Sequence, residues 1–250
     1  MVFRIFKITA SVGGWVLLAL LVYQFKERLL FKFDSFFQQS LSEIKWEQLV
    51  NEKRTSLQNT LWKDERPLIL MLGDSHVEIG NWYDLFEGRY AFWNVGLSQA
   101  KIKDVTKLAK EIPQNCSALT LLFCGINDLG AMRTIDAALK DYIQLLDLLE
   151  NDMPKDRLIV ISIMPVAERR LGDGSKDLNT RVQAFNAGLK RHCENAGIAF
   201  VDVSPAISKN GFLREDLTGD GLHLNSAGYH QITISIQPSI SKIYGKIPKK

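Results

Sequence analysis

Four short polar motifs in this sequence carry the residue types that a serine nucleophile requires. A serine that attacks a carbonyl carbon needs a base to take its proton, a carboxylate to orient that base, and hydrogen-bond donors for the oxyanion that forms. The motifs are Gly73-Asp74-Ser75-His76, Asn94-Val95-Gly96, Gly125-Ile126-Asn127-Asp128 and Asp220-Gly221-Leu222-His223. Together they contain candidates for each of these parts.

Ser75 is the candidate nucleophile. The apolar run Leu68 to Leu72 precedes it and a helical pattern follows, so its hydroxyl is predicted to lie on a tight turn beside the positive end of a helix. Asp74 is interpreted as a turn or capping residue, because its neighbour occupies the reactive point. His76 receives no catalytic role, because adjacent side chains on a turn usually diverge.

His223 is the candidate general base, and Asp220 is its candidate partner. The three-residue step between them lets the carboxylate fold back within one turn and accept the imidazole Nδ1 proton. The Nε2 atom is then free to face Ser75. An Asp-x-x-His pair by itself is a common loop pattern, so this assignment depends on the other three motifs.

Three groups form the predicted oxyanion hole. They are the backbone N–H of Ser75, the backbone N–H of Gly96 and the side-chain amide of Asn127. Taken singly, Gly96 is typical of a turn and Asn127 of a helix cap. They become one hypothesis because each follows a different predicted strand.

Alternating strand and helix patterns are predicted to position these residues. Five apolar runs predict buried strands: Leu68 to Leu72, Ala91 to Val95, Leu119 to Cys124, Leu158 to Met164 and Ile198 to Val203. Helical spacing covers Lys101 to Ile112, Ile135 to Leu149 and Leu178 to Ala196, and a last helix is predicted from Ser226 into the 230s. Such units indicate an α/β fold whose parallel sheet has helices on both faces and a functional site at the carboxyl ends of its strands.

Residues 8–25 form an apolar run without a charged side chain, between Lys7 and Lys26. As a helix this run would be about 27 Å long, close to the thickness of a membrane's hydrocarbon core. It ends in Leu-Val-Tyr-Gln-Phe-Lys, without the small residues of a signal-peptide cleavage site. Residues 1–28 are therefore predicted to be an uncleaved single-pass anchor, with a cytoplasmic amino terminus and an extracytoplasmic catalytic domain.

An amphipathic helical stem is predicted for residues 29–66. Leucine, isoleucine and phenylalanine recur there at steps of three and four residues, separated by charged and polar side chains. Its apolar face has three candidate partners: the body of the same chain, the membrane surface or a second chain. Residues 67–250 form the predicted catalytic domain.

The composition excludes several classes of protein. Hydrophobic residues make up 46% of the chain and charged residues 24%, which is typical of a globular domain and not of a disordered chain. The net charge is +3, with no basic stripe that would bind nucleic acid. Three cysteines cannot pair completely, and Cys116 and Cys193 could form a bridge only if they meet in space. Zinc-ligand spacing and phosphate-binding glycine motifs are absent from the sequence, so no metal or nucleotide cofactor is predicted.

The four motifs resemble those of the SGNH or GDSL hydrolases, a family named for the serine, glycine, asparagine and histidine of four separated sequence blocks. In this sequence those residues are Ser75, Gly96, Asn127 and His223, in the family's order. The stretch from Asp220 to Tyr229 looks much like the last block of esterase members. The resemblance covers residues 67 to about 240.

This resemblance implies a three-layer α/β/α, flavodoxin-like fold with a five-stranded parallel sheet, and an esterase or acyl hydrolase that needs no metal. Ser75 would be the nucleophile, His223 the general base and Asp220 its orienting partner. Ser75, with Gly96 and Asn127, would form the oxyanion hole. The sequence departs from the commonest first block, in which an apolar residue follows the serine, because His76 stands there.

The segment Pro165 to Leu178 follows the fourth predicted strand and should overhang the same edge of the sheet. We hypothesise that it shapes the substrate pocket and that Arg169 or Arg170 meets an anionic group of the substrate. A charged surface loop is the alternative interpretation.

Three functions fit these residues. The first is a membrane-anchored serine esterase that cleaves a short-chain or acetyl ester of a glycan or a lipid. The second is an acyltransferase that uses the same triad and passes the acyl group to a glycan hydroxyl instead of water. The third is a glycan- or lipid-binding module on the same fold without turnover. The presence of every triad member favours an enzyme, and the sequence makes no prediction of oligomeric state.

Overall fold

The computed structural model describes residues 45–60, 66–113 and 116–244. The chain divides into two compact units, Met1–Asn51 and Glu52–Lys250. The predicted anchor over residues 1–28, and the stem up to residue 44, lie outside the described residues. Among the residues that are described, no helix has the length and apolar character needed to cross a membrane.

A five-stranded parallel sheet forms the centre of the second unit. Its strands are β1 (Leu68–Gly73), β2 (Ala91–Gly96), β3 (Leu119–Phe123), β4 (Leu158–Ile161) and β5 (Ala199–Val201). They lie in the order β2-β1-β3-β4-β5, and β1 pairs with β2 from Leu68 opposite Ala91 to Gly73 opposite Gly96. This order is that of flavodoxin-like folds, so the expected α/β fold with five parallel strands is confirmed.

Helices pack on both faces of the sheet. The helices of the described residues are α1 (45–60), α2 (Ser75–Glu78), α3 (Trp82–Leu85), α4 (Ile102–Glu111), α5 (Ile126–Gly130), α6 (Ile135–Asp152), α7 (Asp173–Ala196), α8 (Ser204–Ile207) and α9 (Ser226–Tyr244). On one face α4 contacts α6 and α6 contacts α7, while α9 contacts α3 and α8. Alternate side chains of β1, Ile69 and Met71, belong to the cluster that contains Ile232 and Ile236 of α9, as the two-residue period of a strand requires.

The central strands consist almost wholly of aliphatic side chains because they are covered on both faces. Every residue of β1, β3 and β4 is buried. The outer strand β2 instead alternates, with Phe92 and Asn94 only half-buried. The carboxyl ends of β1, β2 and β3 therefore meet at one rigid edge of the sheet, where the polar motifs begin.

Three local differences from the predicted elements concern the carboxyl-terminal half. Helix α7 begins at Asp173, so residues 173–178 are helical although they were expected in a loop; an acidic first residue suits a helix amino terminus. Helix α9 continues through Pro238 to Tyr244. The short helix α8 and a hairpin of β6 (Ser208–Lys209) and β7 (Phe212–Leu213) were not predicted, because elements of two to four residues have no readable periodicity.

The end of the predicted stem packs on the body of its own chain. Trp93 of β2 donates its Nε1 proton towards the Lys53 carbonyl oxygen and Ser56 Oγ, both at 3.0 Å. Arg54 donates through Nε to the Glu111 carbonyl oxygen at the end of α4, at 3.0 Å. For residues 52–60 the structure therefore selects the first of the three candidate partners.

Candidate active site

Ser75 lies at the end of a tight turn between β1 and α2. Asp74 is the N-cap of α2, because its Oδ1 atom accepts a hydrogen bond from the His76 backbone N–H at 3.0 Å. Gly73 permits the turn, since a Cβ atom there would lie 1.9 Å from the carbonyl oxygen of Phe123 on the neighbouring strand. The turn sets Ser75 as the first residue of α2, with 7% of its surface exposed.

Ser75, His223 and Asp220 form a continuous series of hydrogen bonds. The Ser75 Oγ atom lies 3.0 Å from His223 Nε2. On the other side of the ring, His223 Nδ1 lies 2.8 Å from Asp220 Oδ2. A carboxylate only accepts, so the proton between them sits on Nδ1, and Nε2 is left to accept the serine proton. The structure thus brings together three side chains from two separated motifs.

The backbone that follows Asp220 holds this side chain as a carboxylate. Its Oδ1 atom accepts the N–H of Leu222 at 2.9 Å and that of His223 at 2.7 Å. Burial favours the neutral acid, but these two hydrogen bonds and the His223 imidazole outweigh burial and lower the pKa of Asp220 below its usual range. An ionised Asp220 accepts a hydrogen bond from the imidazole Nδ1, as its predicted orienting role requires.

A short network fixes the loop that carries Asp220 and His223. Thr218 donates through Oγ1 to the His223 carbonyl oxygen at 2.7 Å and accepts the Gly221 N–H at 2.9 Å. Gly221 has a φ angle of +83°, a region that favours glycine. Its carbonyl oxygen accepts the Ala167 N–H at 2.8 Å. The loop after β4 is therefore bound to residues 218–223. These residues carry Asp220 and His223 and are called the catalytic loop below.

Two of the three predicted oxyanion donors have an N–H available. The Ser75 N–H has no partner among the described residues, because it is at the first position of α2. Asn127, in α5 directly after β3, donates one Nδ2 proton to the Ala100 carbonyl oxygen at 3.0 Å. An amide nitrogen carries two protons, so the second N–H of Asn127 remains for a ligand.

Gly96 does not offer the free N–H that its place after β2 predicted. This N–H donates to Asn94 Oδ1 at 3.0 Å, and Asn94 Nδ2 donates in turn to the Val77 carbonyl oxygen at 2.9 Å. A Cβ atom on Gly96 would lie 2.1 Å from the backbone nitrogen of Glu78. Gly96 therefore allows α2 to approach β2 closely, and its contribution is to the packing of the helix that carries Ser75.

Comparison with known proteins agrees with this geometry. Residues 71–231 match the family model described as the GDSL-like lipase/acylhydrolase family. The chain belongs to this family. A solved GDSL-like lipase from Bacteroides thetaiotaomicron is 21% identical, with a TM-score of 0.63 over 78% of this chain and 98% of that one. A lipase/acylhydrolase from Enterococcus faecalis is 20% identical, with a TM-score of 0.59 over 74% and 99% of the two chains. No curated protein matches the sequence.

Membership of the GDSL-like lipase/acylhydrolase family makes the chain an ester hydrolase, as the four motifs predicted. The two solved structures support the fold that positions those motifs.

The two arginines expected to meet a substrate anion bind the catalytic loop. Arg169 pairs with Glu215, and its Nη2 atom donates to the Gly219 carbonyl oxygen at 3.1 Å. Arg170 donates through Nη1 to the Asp220 carbonyl oxygen at 3.3 Å and lies 4.0 Å from the Asp220 carboxylate. Both guanidinium groups therefore brace this loop, while the binding of a substrate anion by their remaining donors stays a prediction.

One exposed residue near Asn127 was not singled out from the sequence. Gln99, on the turn after β2, has a φ angle of +61°, and its N–H has no partner within the described part of the chain. Asn127 is bonded to the next residue, Ala100, so the two amides lie near the same turn. No sequence pattern marks Gln99, because glutamine seldom adopts a positive φ.

Asp128 caps a helix other than its own. It is fully buried. Its Oδ2 atom accepts the N–H of Ile102 at the start of α4 at 2.8 Å, and its Oδ1 atom accepts from Arg133 Nη1 at 2.8 Å. These bonds fix α5, and with it the neighbouring Asn127, against α4.

The structure shows no cysteine bridge and no cluster suited to a metal in its described part. Cys116, Cys124 and Cys193 are all free, so the conditional pairing of Cys116 with Cys193 does not occur. Among the described residues, no three His, Cys, Asp or Glu side chains are grouped so that they could hold a metal ion.

Proposed function

We propose that this acylhydrolase is a membrane-anchored serine esterase for short-chain esters, in which Ser75 is the nucleophile, His223 the general base and Asp220 its orienting partner. The observation that carries the proposal is the series of contacts from Ser75 Oγ through His223 to Asp220, at 3.0 and 2.8 Å. Both distances are within the range for direct proton transfer and orientation.

Ester hydrolysis proceeds in two stages in this proposal. Ser75 Oγ attacks the carbonyl carbon while His223 Nε2 takes the serine proton. The bond from carbon to the alcohol oxygen then breaks, His223 gives its proton to the departing alcohol, and the acyl group stays on Ser75. Water attacks this acyl-enzyme, with His223 again the base, and the carboxylic acid leaves.

The oxyanion of each tetrahedral intermediate receives its hydrogen bonds from the Ser75 N–H and from the second Nδ2 proton of Asn127. Both groups are open among the described residues. The loss of one such donor typically lowers kcat by about 10²–10³-fold. Gly96 is left out of this assignment because Asn94 already occupies its N–H.

The polar alcohol portion of the substrate fits a cavity beside Arg169, which binds the loop that carries Asp220 and His223. This cavity of about 660 Å³ is lined by Arg169, Glu215 and Phe212 and by further charged side chains, Glu168, Asp173, Lys176 and Asp177. A charged lining favours a hydrated group such as a sugar over a long hydrocarbon chain.

The membrane anchor in this proposal is residues 8–25, with the catalytic domain outside the cytoplasm. Its support is the charge-free apolar run of the sequence. The test is fractionation of cells that express the full chain and a chain that lacks residues 1–28. We expect the full chain to stay with membranes after alkaline carbonate washing and to be cut by protease added from outside the cytoplasm. Release of the full chain by carbonate would rule out the anchor.

The chemistry is tested with p-nitrophenyl acetate, butyrate, octanoate and palmitate, using the full chain and its Ser75→Ala variant. We expect turnover that requires Ser75 and declines from acetate or butyrate to palmitate. An optimum at palmitate would contradict the short-chain assignment. If Ser75 reacts with a fluorophosphonate while no ester is hydrolysed, transfer of the acyl group to an acceptor other than water becomes the better function. Equal turnover by both proteins would overturn the triad.

A further inference from the structure

His76 is buried beside the catalytic histidine, and the proposed mechanism does not use it. Only 2% of its surface is exposed. Its ring centroid lies 5.5 Å from that of His223 and 5.4 Å from that of Phe123. The hydroxyl of Tyr229 on α9 donates to the His76 carbonyl oxygen at 2.8 Å, which fixes its backbone as well. A histidine this deeply buried needs partners for both ring nitrogens.

Both ring nitrogens of His76 face acceptors. Nε2 lies 3.2 Å from the Leu222 carbonyl oxygen, and a carbonyl only accepts, so Nε2 carries a proton. Nδ1 lies 3.0 Å from Asp74 Oδ1, the atom that also accepts the His76 backbone N–H. Both ring nitrogens are therefore placed to donate to an oxygen acceptor, which is the arrangement that an imidazolium requires. Asp74 is 1% exposed, so each buried charge depends on the other.

The groups around this pair favour the charged ring. Burial acts against it, but the carboxylate of Asp74, the Leu222 carbonyl oxygen and the more distant Asp220 outweigh burial, so the pKa of His76 is raised. Around Asp74, burial raises the pKa values of a thiol and two phenols and keeps them neutral: Cys124, Tyr142 and Tyr229. Arg170 faces Asp220 at 4.0 Å.

We propose that His76 is a positioning residue: as an imidazolium held between Asp74 and the Leu222 carbonyl oxygen, it fixes the backbone beside His223 and opposes protonation of the His223 ring. The inference rests on the proposed role of His223 as general base. The Leu222 peptide is bonded at both ends, since its N–H donates to Asp220 and its carbonyl accepts from His76. The His76–Asp74 pair therefore affects both the position and the charge of His223, the proposed general base.

The sign of the electrostatic effect follows from the short distance between the two rings. In this proposal the positive ring of His76 lies 5.5 Å from the ring of His223, centroid to centroid. A second positive charge on His223 is therefore disfavoured, and more of the enzyme keeps the base form at low pH. The loss of the His76 charge makes His223 easier to protonate, which moves the acid limb of kcat/KM to higher pH.

The test compares the full wild-type chain with His76→Gln and Asp74→Asn, using p-nitrophenyl acetate over a range of pH. His76→Gln should lower kcat about 10-fold or more at optimal pH with KM nearly unchanged, and should move the acid limb up by about half a pH unit or more. Asp74→Asn removes the carboxylate that holds the proton on the His76 ring. The acid limb of kcat/KM of this variant should therefore also move to higher pH, but by less than that of His76→Gln. His230→Gln, an exposed histidine of α9, is the matched control and should change neither quantity.

The charge state of His76 is also measured without turnover. Long-range ¹H–¹⁵N spectra of the labelled full chain distinguish an imidazolium from either neutral tautomer, and His76→Gln identifies the signals of the ring. Two protonated ring nitrogens at about pH 8 would support the proposal. A neutral His76 at that pH overturns it, as do acid limbs that stay unchanged in folded His76→Gln and Asp74→Asn. A wild-type chain without esterase activity counts against the proposed function, and the spectra then decide the state of His76 separately.

Discussion

His223 has a different partner at each ring nitrogen and a second histidine against its ring. Ser75 faces Nε2, Asp220 faces Nδ1, and His76 contacts the ring at a centroid separation of 5.5 Å. In the proposed mechanism each partner has a separate effect on the protonation of His223. Ser75 gives its proton to the ring, Asp220 stabilises the protonated ring, and His76 opposes the uptake of a proton from solvent. Substitutions at these positions should therefore differ in their kinetic signatures.

The first prediction concerns the interdependence of Ser75 and His223. Ser75→Ala and His223→Ala should each lower kcat for p-nitrophenyl acetate by about 10³-fold or more, and the double variant should be little worse than either, because the two residues act as one unit. The measurement is steady-state kinetics of the three variants. Losses that multiply in the double variant would show that the residues act independently.

The second prediction concerns pH and Asp220. Because the pKa of Asp220 is lowered on folding, this carboxylate stays ionised while His223 gains its proton, and the acid limb of kcat/KM should follow a single proton. Asp220→Asn should lower kcat by about 10²–10⁴-fold, since an amide cannot stabilise the imidazolium. A carboxyl whose pKa is lowered on folding contributes stability that is present above about pH 4 and is lost as the pH falls below it.

Asp220→Asn should accordingly lower the thermal midpoint at neutral pH and change it less at acid pH. The matched control is Asp156→Asn, an exposed residue just before β4 and so at the amino edge of the sheet, opposite to the site. If the acid limb of kcat/KM of the wild-type chain follows the uptake of two protons, Asp220 does not stay ionised over the pH range of the measurement, and the assignment is wrong.

At the scale of the elements, the close approach of α2 to β2 determines where Ser75 lies. The contact depends on Gly96, whose Cα atom faces the backbone of Glu78, and on the Asn94 side chain, which bonds to both elements. Asn94 also donates to the Glu78 and Gly80 carbonyl oxygens, at 3.2 and 3.3 Å. One amide therefore satisfies the backbone groups at the end of a helix too short to do so itself.

The third prediction tests this contact with two glycines. Gly96→Ala should lower the free energy of unfolding by about 2 kcal/mol or more, or prevent folding, because its Cβ atom would overlap the Glu78 backbone. Gly130→Ala in α5 is the control, since nothing lies within 4 Å of a Cβ atom there, and its stability should change by about 0.5 kcal/mol or less. Equal stability of the two variants in chemical denaturation would refute the packing role of Gly96.

The elements that could be predicted from the sequence are those with long periodic patterns. The runs beginning at Leu68, Leu119 and Leu158 became β1, β3 and β4 because they are covered on both faces and need aliphatic residues throughout. Ser75, Asp220 and His223 could be found because each stands directly after an element or within one turn of its partner. Their roles as catalysts stay a prediction until the variants are measured.

The parts that could not be predicted depend on tertiary contacts. The Gly96 N–H is occupied by a side chain two residues away, and sequence spacing does not show which way that amide turns. His76 was set aside because neighbouring side chains diverge on a turn. It does diverge from Ser75, yet the catalytic loop folds over it and brings Leu222 to its ring. Arg169 and Arg170 bind that same loop across 50 positions of the chain, a contact that sequence spacing does not show.

At the scale of the whole molecule, the compact unit Glu52–Lys250, called the catalytic unit below, begins closer to the amino terminus than the strand pattern indicates. Leu57 is buried, and Trp93 donates to the backbone at Lys53. These contacts cover one side of the outer strand β2 with the last turns of α1. Residues 52–60 are thus part of the compact body, and the predicted boundary between stem and domain at residue 66 stays a prediction.

The fourth prediction follows from this contact. A chain that begins at residue 63 should unfold at a lower temperature than one that begins at residue 45, because Trp93 loses its hydrogen-bond partners and apolar surface around Leu57 is exposed. The measurement is differential scanning fluorimetry of both chains, with Trp93→Phe in the longer chain as a control that removes the indole hydrogen bonds alone. Equal midpoints for the two lengths would show that α1 contributes nothing to the catalytic unit.

The two ends of the active site are 148 positions apart in the chain, with Ser75 after the first strand and His223 after the last. During synthesis the serine leaves the ribosome early, when no base exists to activate it. Under the proposed roles of these two residues, a nascent chain therefore stays inert until residue 223 has been translated, and a chain cut short before that residue has no hydrolytic activity. Turnover would thus report that the ribosome has passed the codon of His223.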